Sequence, residues 1–263
     1  MTNPVAQALR GGRHAPSRRA PGERVLVAGG AGSLGSALLE QLLGLDTFRQ
    51  VQVLVTRPLN ATLTGLHPVM WVDGEPLGAG GVATAVVVFD RARHVNGREE
   101  AFWRPDPAQL PALAATLKDA GVRHLLVVVP HAAASLPHAL RHGLANLDEQ
   151  AVSALGFEHL VFMRPAQTAA ADRSSHPAER LAHWMLSQLS LMAPAHDKPV
   201  RSAKVAQFAA HLAAGLAGSP PGTRVVPAQL VWQAAQAGAL VGVAQAWLTG
   251  QAIPPGPRPA IRL

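Results

Sequence analysis

The run Arg24-Val25-Leu26-Val27-Ala28 is short and apolar, and it leads directly into Gly29-Gly30-Ala31-Gly32-Ser33-Leu34-Gly35. A helical pattern follows at once, Ser36-Ala37-Leu38-Leu39-Glu40-Gln41-Leu42-Leu43. A strand that turns through glycines into a helix is the opening unit of a doubly wound α/β sheet. It constrains everything after it, because an apolar parallel strand needs neighbours beside it and helices on both faces. Missing Cβ atoms let the backbone approach a pyrophosphate closely, and the start of the next helix offers free N–H groups. The spacing is Gly29-x-x-Gly32-x-x-Gly35, and a second strand trails it, which is the context dinucleotide binding requires.

The remaining chain supplies those neighbours. Apolar runs predict strands near 24–28, 51–55, 68–72, 85–89, 123–129, 159–163 and 224–226. Helical patterns lie near 33–43, 107–120, 137–155, 177–191, 202–216 and 228–248. Pro107, Pro137 and Pro177 suit first helical turns, and Gly44, Gly121 and Gly156 suit helix ends. The expected fold is α/β, a doubly wound, mostly parallel, Rossmann-like sheet with a small C-terminal substrate-side cap. One connection is unusual. Residues 74–84 hold four glycines and a proline, too many for a crossover helix, so the third and fourth strands should be joined by a bare loop.

A length of 263 residues fits one such domain with a small appendage, and 48% hydrophobic residues fill its core. The apolar runs are short and interrupted, which argues against a membrane span and for a cytoplasmic protein. Without cysteine there are no disulfides and no thiol chemistry, and zinc would have to rely on His and carboxylates. The net charge of +7 is carried mainly by arginine, part of it in Arg10, Arg13, Arg18, Arg19 and Arg24. Residues 1–21 lack an apolar face and acidic groups and read as a disordered basic arm. Such an arm could contact nucleic acid or anionic lipid by counterion release, but a solvated tail explains it as well. The expected divisions are the arm, a dinucleotide-binding core over 22–165, cap and closing elements over 166–250, and a Pro-rich tail over 251–263.

The second strand ends Val55-Thr56-Arg57-Pro58, with no acid at the position that reads the ribose in NAD binders. An arginine there can pair with a 2′-phosphate, so NADP(H) is expected over NAD(H).

Several of these features resemble an atypical short-chain dehydrogenase/reductase, of the branch that includes NmrA-like regulators and the Tat-interacting-protein group. The residues concerned are the turn 29–35, Val72-Asp73 and Ala101-Phe102-Trp103-Arg104-Pro105-Asp106 through Gly121-Val122-Arg123-His124-Leu125. Phe162-Met163-Arg164-Pro165 and Pro199-Val200-Arg201-Ser202-Ala203-Lys204-Val205-Ala206 complete the set, over roughly residues 22–236. The resemblance implies that Asp73 approaches the adenine and that Phe89-Asp90-Arg91 lies near the nicotinamide ribose. The cofactor set is then Gly29, Gly32, Ser33, Leu34, Gly35, Arg57, Asp73, Phe89 and Asp90.

Catalytic relatives place a serine after the fifth strand and a Tyr-x-x-x-Lys on the next helix, where the tyrosine moves the proton that accompanies hydride transfer. This chain has no tyrosine, and no lysine between Lys118 and Lys198. Pro130 or His131 takes the serine position, and Arg141 and Ala145 fall where the dyad belongs. Substitute acids would be His131, His138 or Arg141. His138 and His142, four apart, share a helix face, but no third ligand completes a metal site and none is expected. Ser174-Ser175-His176 makes no triad. Glu99-Glu100 reads as a solvated pair, and Trp103, Trp184, Trp232 and Trp247 as packing residues. The expectation is a protein that binds NADP(H), or keeps the shape for it, without reductase chemistry, in a regulatory, scaffolding or redox-sensing role. The alternatives are an oxidoreductase with a His or Arg acid-base and a basic interaction module. An unknown small molecule or protein is the expected further partner, and nucleic acid and membrane are not.

Overall fold

The computed structural model describes residues 23–59, 64–72, 74–78, 80–90, 100–132, 147–167, 200–236 and 240–253. Nine strands and six α-helices are assigned among them: β1 Glu23–Ala28, α1 Gly32–Gly44, β2 Phe48–Val55, β3 Leu66–Met70, β4 Thr84–Val88, α2 Leu110–Asp119, β5 His124–Val128, β6 His131–Ala132, α3 Leu147–Ala154, β7 His159–Met163, β8 Ala166–Gln167, α4 Ser202–Gly215, β9 Gly222–Val226, α5 Ala228–Gln236 and α6 Leu240–Thr249.

Seven strands form one sheet in the order β3-β2-β1-β4-β5-β7-β9, every neighbouring pair parallel. The order runs outward from β1 in both directions, the doubly wound arrangement with its switch point between β1 and β4. β6 and β8 form a separate two-stranded parallel pair. The period-2 pleat divides each central strand between two cores. Val25 and Val27 join Val53, Val86, Leu126 and Val161 under α1, α4, α5 and α6. Leu26 and Ala28 join Leu54, Val87, Val127 and Phe162 under α2 and α3. Burial on both faces is why these strands read as unbroken apolar runs.

α2 is entered through a short 3-10 turn, Pro107–Gln109, with a capping box. The Asp106 carboxylate accepts from Ala108 N at 2.9 Å, and Gln109 Oε1 accepts from Asp106 N at 2.9 Å. The connection from β3 to β4 carries no helix among its described residues, as its glycines predict. Arg24 instead reaches across the sheet and donates from Nη1 to Gly80 O at 2.6 Å. β3 lies at the sheet edge. Its Trp71 amide and the Gly65 carbonyl bond to β2, so the intervening Leu66, Pro68 and Met70 turn their main-chain groups outward.

The helix expected over 228–248 is a correction: the assignment gives two helices, α5 and α6, on either side of residues 237–239. Of the helix expected near 137–155, Leu147–Ala154 is described, and the helix expected near 177–191 lies outside the described residues. Among the described residues no helix is long and apolar enough to cross a membrane.

Candidate functional site in the switch-point crevice

The carboxyl ends of β1, β2 and β4 surround the glycine turn. Gly29 holds φ +87°, and a Cβ there would stand 2.0 Å from the Val88 carbonyl oxygen. Gly35, one turn into α1, would place its Cβ 2.2 Å from Gly29 O. The turn is therefore squeezed between β4 and its own helix, and only glycine fits at either position. The N-cap residue of α1, Ala31, has no side-chain cap, and the first turn of the helix has no acid of its own. The acceptors for its first-turn amides therefore come from outside the helix's own cap.

Asp90, just beyond β4, supplies one: Leu34 N donates to Asp90 Oδ2 at 2.8 Å. Leu34 is among the residues that the resemblance assigns to the pyrophosphate-binding turn. Ser33 Oγ lies 3.1 Å from Ser202 Oγ and ties the start of α1 to the start of α4. Phe89 is buried, and its amide donates to Val128 O at 3.0 Å. Arg57, at the end of β2, is half-exposed and is ion-paired through Nη2 to Glu100 Oε2 at 2.6 Å. Glu100 is thus a partner of Arg57 rather than a merely solvated acid.

Residues 100–105 form the part of the site that sequence reasoning missed. Thr56 N donates to Ala101 O at 2.8 Å, Trp103 N donates to Leu54 O at 2.8 Å, and Val55 and Phe102 form an antiparallel bridge. Leu54 and Thr56 turn these groups to the β1 side of β2, so the segment runs in the lane directly beyond the last residue of β1. It is fastened there by Gly29 N, which donates to Trp103 O at 3.2 Å. Phe102 is 4% and Trp103 8% exposed, and the Trp103 ring lies against Trp71 with centroids 4.5 Å apart. A cavity of about 410 Å³ remains beside this segment, lined by Gly29, Ala31, Val88, Asp90, Arg104 and the stretch 105–107.

His131 lies in β6, past the end of β5, with its backbone in register with Ala166. Asp73, His138 and Arg141 lie outside the described residues.

Two other buried polar groups had no signal in the sequence. At the opposite end of the sheet, His124 and His159 begin β5 and β7 in register. Their Nδ1 atoms are 2.8 Å apart, and His159 Nε2 lies 2.8 Å from Ser219 O. A carbonyl only accepts, so His159 Nε2 carries its proton, and His124 Nδ1 donates to His159 Nδ1. Burial, first, and the neighbouring His159 hold the His124 imidazole below its ordinary range. With Glu158 the pair brings three potential ligand atoms within 4.8 Å of one another, but each ring already has its partner. The second group is the ion pair of Glu149 on α3 with Arg164 after β7, both nearly fully buried.

No protein-family model matches the chain, and no curated protein does. Among solved structures it is similar to the Citrobacter sp. triphenylmethane reductase complexed with NADP(H), at 15% identity and a TM-score of 0.43, over 72% of this chain and 65% of that one. It is similar to UDP-N-acetylglucosamine 4-epimerase from Bacillus cereus at 12% identity and a TM-score of 0.40, over 88% of this chain and 86% of that one. The Bordetella bronchiseptica enzyme WbmG in complex with NAD matches at 16% identity and a TM-score of 0.32, over 80% of this chain and 83% of that one.

Proposed function

We propose that this chain is an NADP(H)-binding protein of the atypical short-chain dehydrogenase kind that senses the cofactor rather than reducing a substrate with it. The observation that carries this reading is the glycine turn. Gly29 and Gly35 leave no room for a Cβ, and Gly29 and Ala31, which lead into α1, line a cavity at the switch point of the sheet beside Asp90. A turn kept free of side chains at that place fits a pyrophosphate against helix amides. Arg57 favours the 2′-phosphate form, since it ends β2 where an NAD binder has a carboxylate.

Against hydride chemistry of the usual type stands the chain itself, which has no tyrosine. A nicotinamide supplies the hydride when bound, but a carbonyl substrate also needs a proton donor, and the residues at the dyad positions, Arg141 and Ala145, make no tyrosinate–lysine pair. The protein would then read the cofactor pool, with 22–165 as the binding core and 166–250 as the cap that communicates with a partner.

The test is calorimetry of the full chain with NADPH and with NADH, followed by a turnover screen with NADPH and carbonyl compounds. The expected result is heat with NADPH, weaker heat with NADH and no NADPH consumption. Arg57→Ala should erase most of the difference between the two cofactors. Absence of heat with both, in the native chain and in Gly32→Asp alike, would refute cofactor binding. Steady NADPH consumption would move the chain to the oxidoreductase reading with His131, His138 or Arg141 as the acid.

A further inference from the structure

We infer that the dinucleotide crevice is regulated from within: Asp90 and residues 100–105 are a built-in competitor that NADP(H) must displace. This rests on the reading that the crevice takes that cofactor. Three observations converge on the single connection that joins β4 to α2. First, the Asp90 carboxylate holds the Leu34 amide, a donor that the glycine turn would offer to a pyrophosphate. Second, the Glu100 carboxylate holds Arg57, the group suited to a 2′-phosphate. Third, the backbone of 101–103 pairs with Leu54 and Thr56 and takes the Gly29 amide, so it fills the lane between those two anion-binding points.

The chain has thus put negative charge at both places where the cofactor carries it. An ordinary helix cap would explain Asp90 alone, and an ordinary surface ion pair would explain Glu100 alone. Neither explains why both carboxylates flank a buried Phe102-Trp103 step laid across the end of β1. Cofactor and segment cannot occupy that lane together, so the apparent dissociation constant is the intrinsic one divided by the fraction of molecules with the segment displaced. Displacement separates Trp103 from Trp71, so occupancy of the crevice is converted into a change of the protein surface near the end of β3.

The competitor reading gives signs opposite to a ligand role. If Asp90 and Glu100 compete, neutral amides in their place tighten binding. If they bind the cofactor, the same changes weaken it. The experiment measures affinity of the full chain, Asp90→Asn and Glu100→Gln for NADPH, for inorganic pyrophosphate and for 2′,5′-ADP. Asp90→Asn should bind pyrophosphate and NADPH more tightly by about fivefold or more, the factor that one unit charge exerts at about 4 Å in water. Glu100→Gln, a change at a half-exposed side chain, should do the same for 2′,5′-ADP and NADPH. Hydrogen exchange at the Thr56 and Trp103 amides should speed up when NADPH is added to the native chain. NADPH binding that is equal or weaker in both variants, with those amides still protected, overturns the inference and leaves cofactor binding intact. No binding of any of the three probes by the native chain or either variant overturns the cofactor reading itself, and the inference falls with it.

Discussion

Gly35 and Gly44 sit in the same helix, and replacing each with alanine should move stability in opposite directions. Alanine is the better helix former by roughly 1 kcal/mol. At Gly44, the last residue of α1, a Cβ would meet nothing within 4 Å, so Gly44→Ala keeps the part of that interior gain that a terminal position allows. At Gly35 the Cβ would stand 2.2 Å from Gly29 O and 2.7 Å from the Gly30 carbonyl carbon. Both neighbours are backbone, so no rotamer change relieves the contact. α1 has to back away from β1 by more than an ångström, which loosens Leu34, Leu38 and Leu42, all buried in the core beneath it. Overpacking of that kind costs about 1–3 kcal/mol, and a backbone collision belongs at the upper end. The net loss for Gly35→Ala is then about 2 kcal/mol. At a urea slope of about 2–3 kcal/mol/M the unfolding midpoint falls by about 0.7–1 M, and for Gly44→Ala it rises by a few tenths. Urea titrations of both variants by circular dichroism, without cofactor, decide the matter. A Gly35→Ala midpoint at or above that of the parent would show that the turn is not closed by packing, and the geometric argument for the site would lose its basis.

Glu149→Ala removes the carboxylate that faces the buried Arg164 guanidinium and should lower stability by about 3–5 kcal/mol, while Glu149→Gln, which keeps an acceptor, should lose clearly less; thermal unfolding ranks them. Acid should weaken the fold through His124. Its folded-state affinity for a proton is lowered by burial, so the unfolded chain takes the proton first, near its ordinary pKa of about 6.5. The stabilisation is complete above that pH and declines as pH falls through it toward the lower folded value. Urea midpoints at pH 7.5 and pH 5.5 should therefore differ more in the parent than in His124→Gln. Saturating NADPH should raise the melting temperature, since a ligand at 100 times its Kd adds about 2.7 kcal/mol. Arg57→Ala should cut that protection more for NADPH than for NADH.

The parts of this protein that were legible in the sequence are those whose physics is local. A strand buried on both faces is an apolar run, so the five inner strands stood out; the less buried edge strands β3 and β9 were legible from their shorter apolar stretches, and each begins two residues before its expected start. The glycine turn and the Asp106-Pro107 helix start carry their geometry in adjacent residues. The bare connection before β4 was legible because glycines and a proline exclude a helix. The segment 100–105 was not legible, because it takes its shape from hydrogen bonds to Leu54 and Thr56, over 40 residues earlier in the chain. Glu99-Glu100 looked solvated for the same reason: nothing nearby in sequence announces Arg57 as a partner. His124 and His159 each open a short apolar run, and only the parallel register of β5 and β7 brings the two rings within hydrogen-bond reach. The helix expected over 228–248 ran together two elements with continuous apolar spacing.

The outward row of β3 has a consequence for assembly. Of Leu66, Pro68 and Met70, the middle residue has no N–H to offer, so the exposed edge lacks the donor at its centre. A strand from another molecule arriving there would find two donors spaced too far apart to hold a register. The seven-stranded sheet is sealed on that side against growth into a longer intermolecular sheet, despite a half-exposed Met70 and Val72 that would otherwise invite it. Growth of the sheet then falls to the opposite edge, β9, whose five residues include no proline.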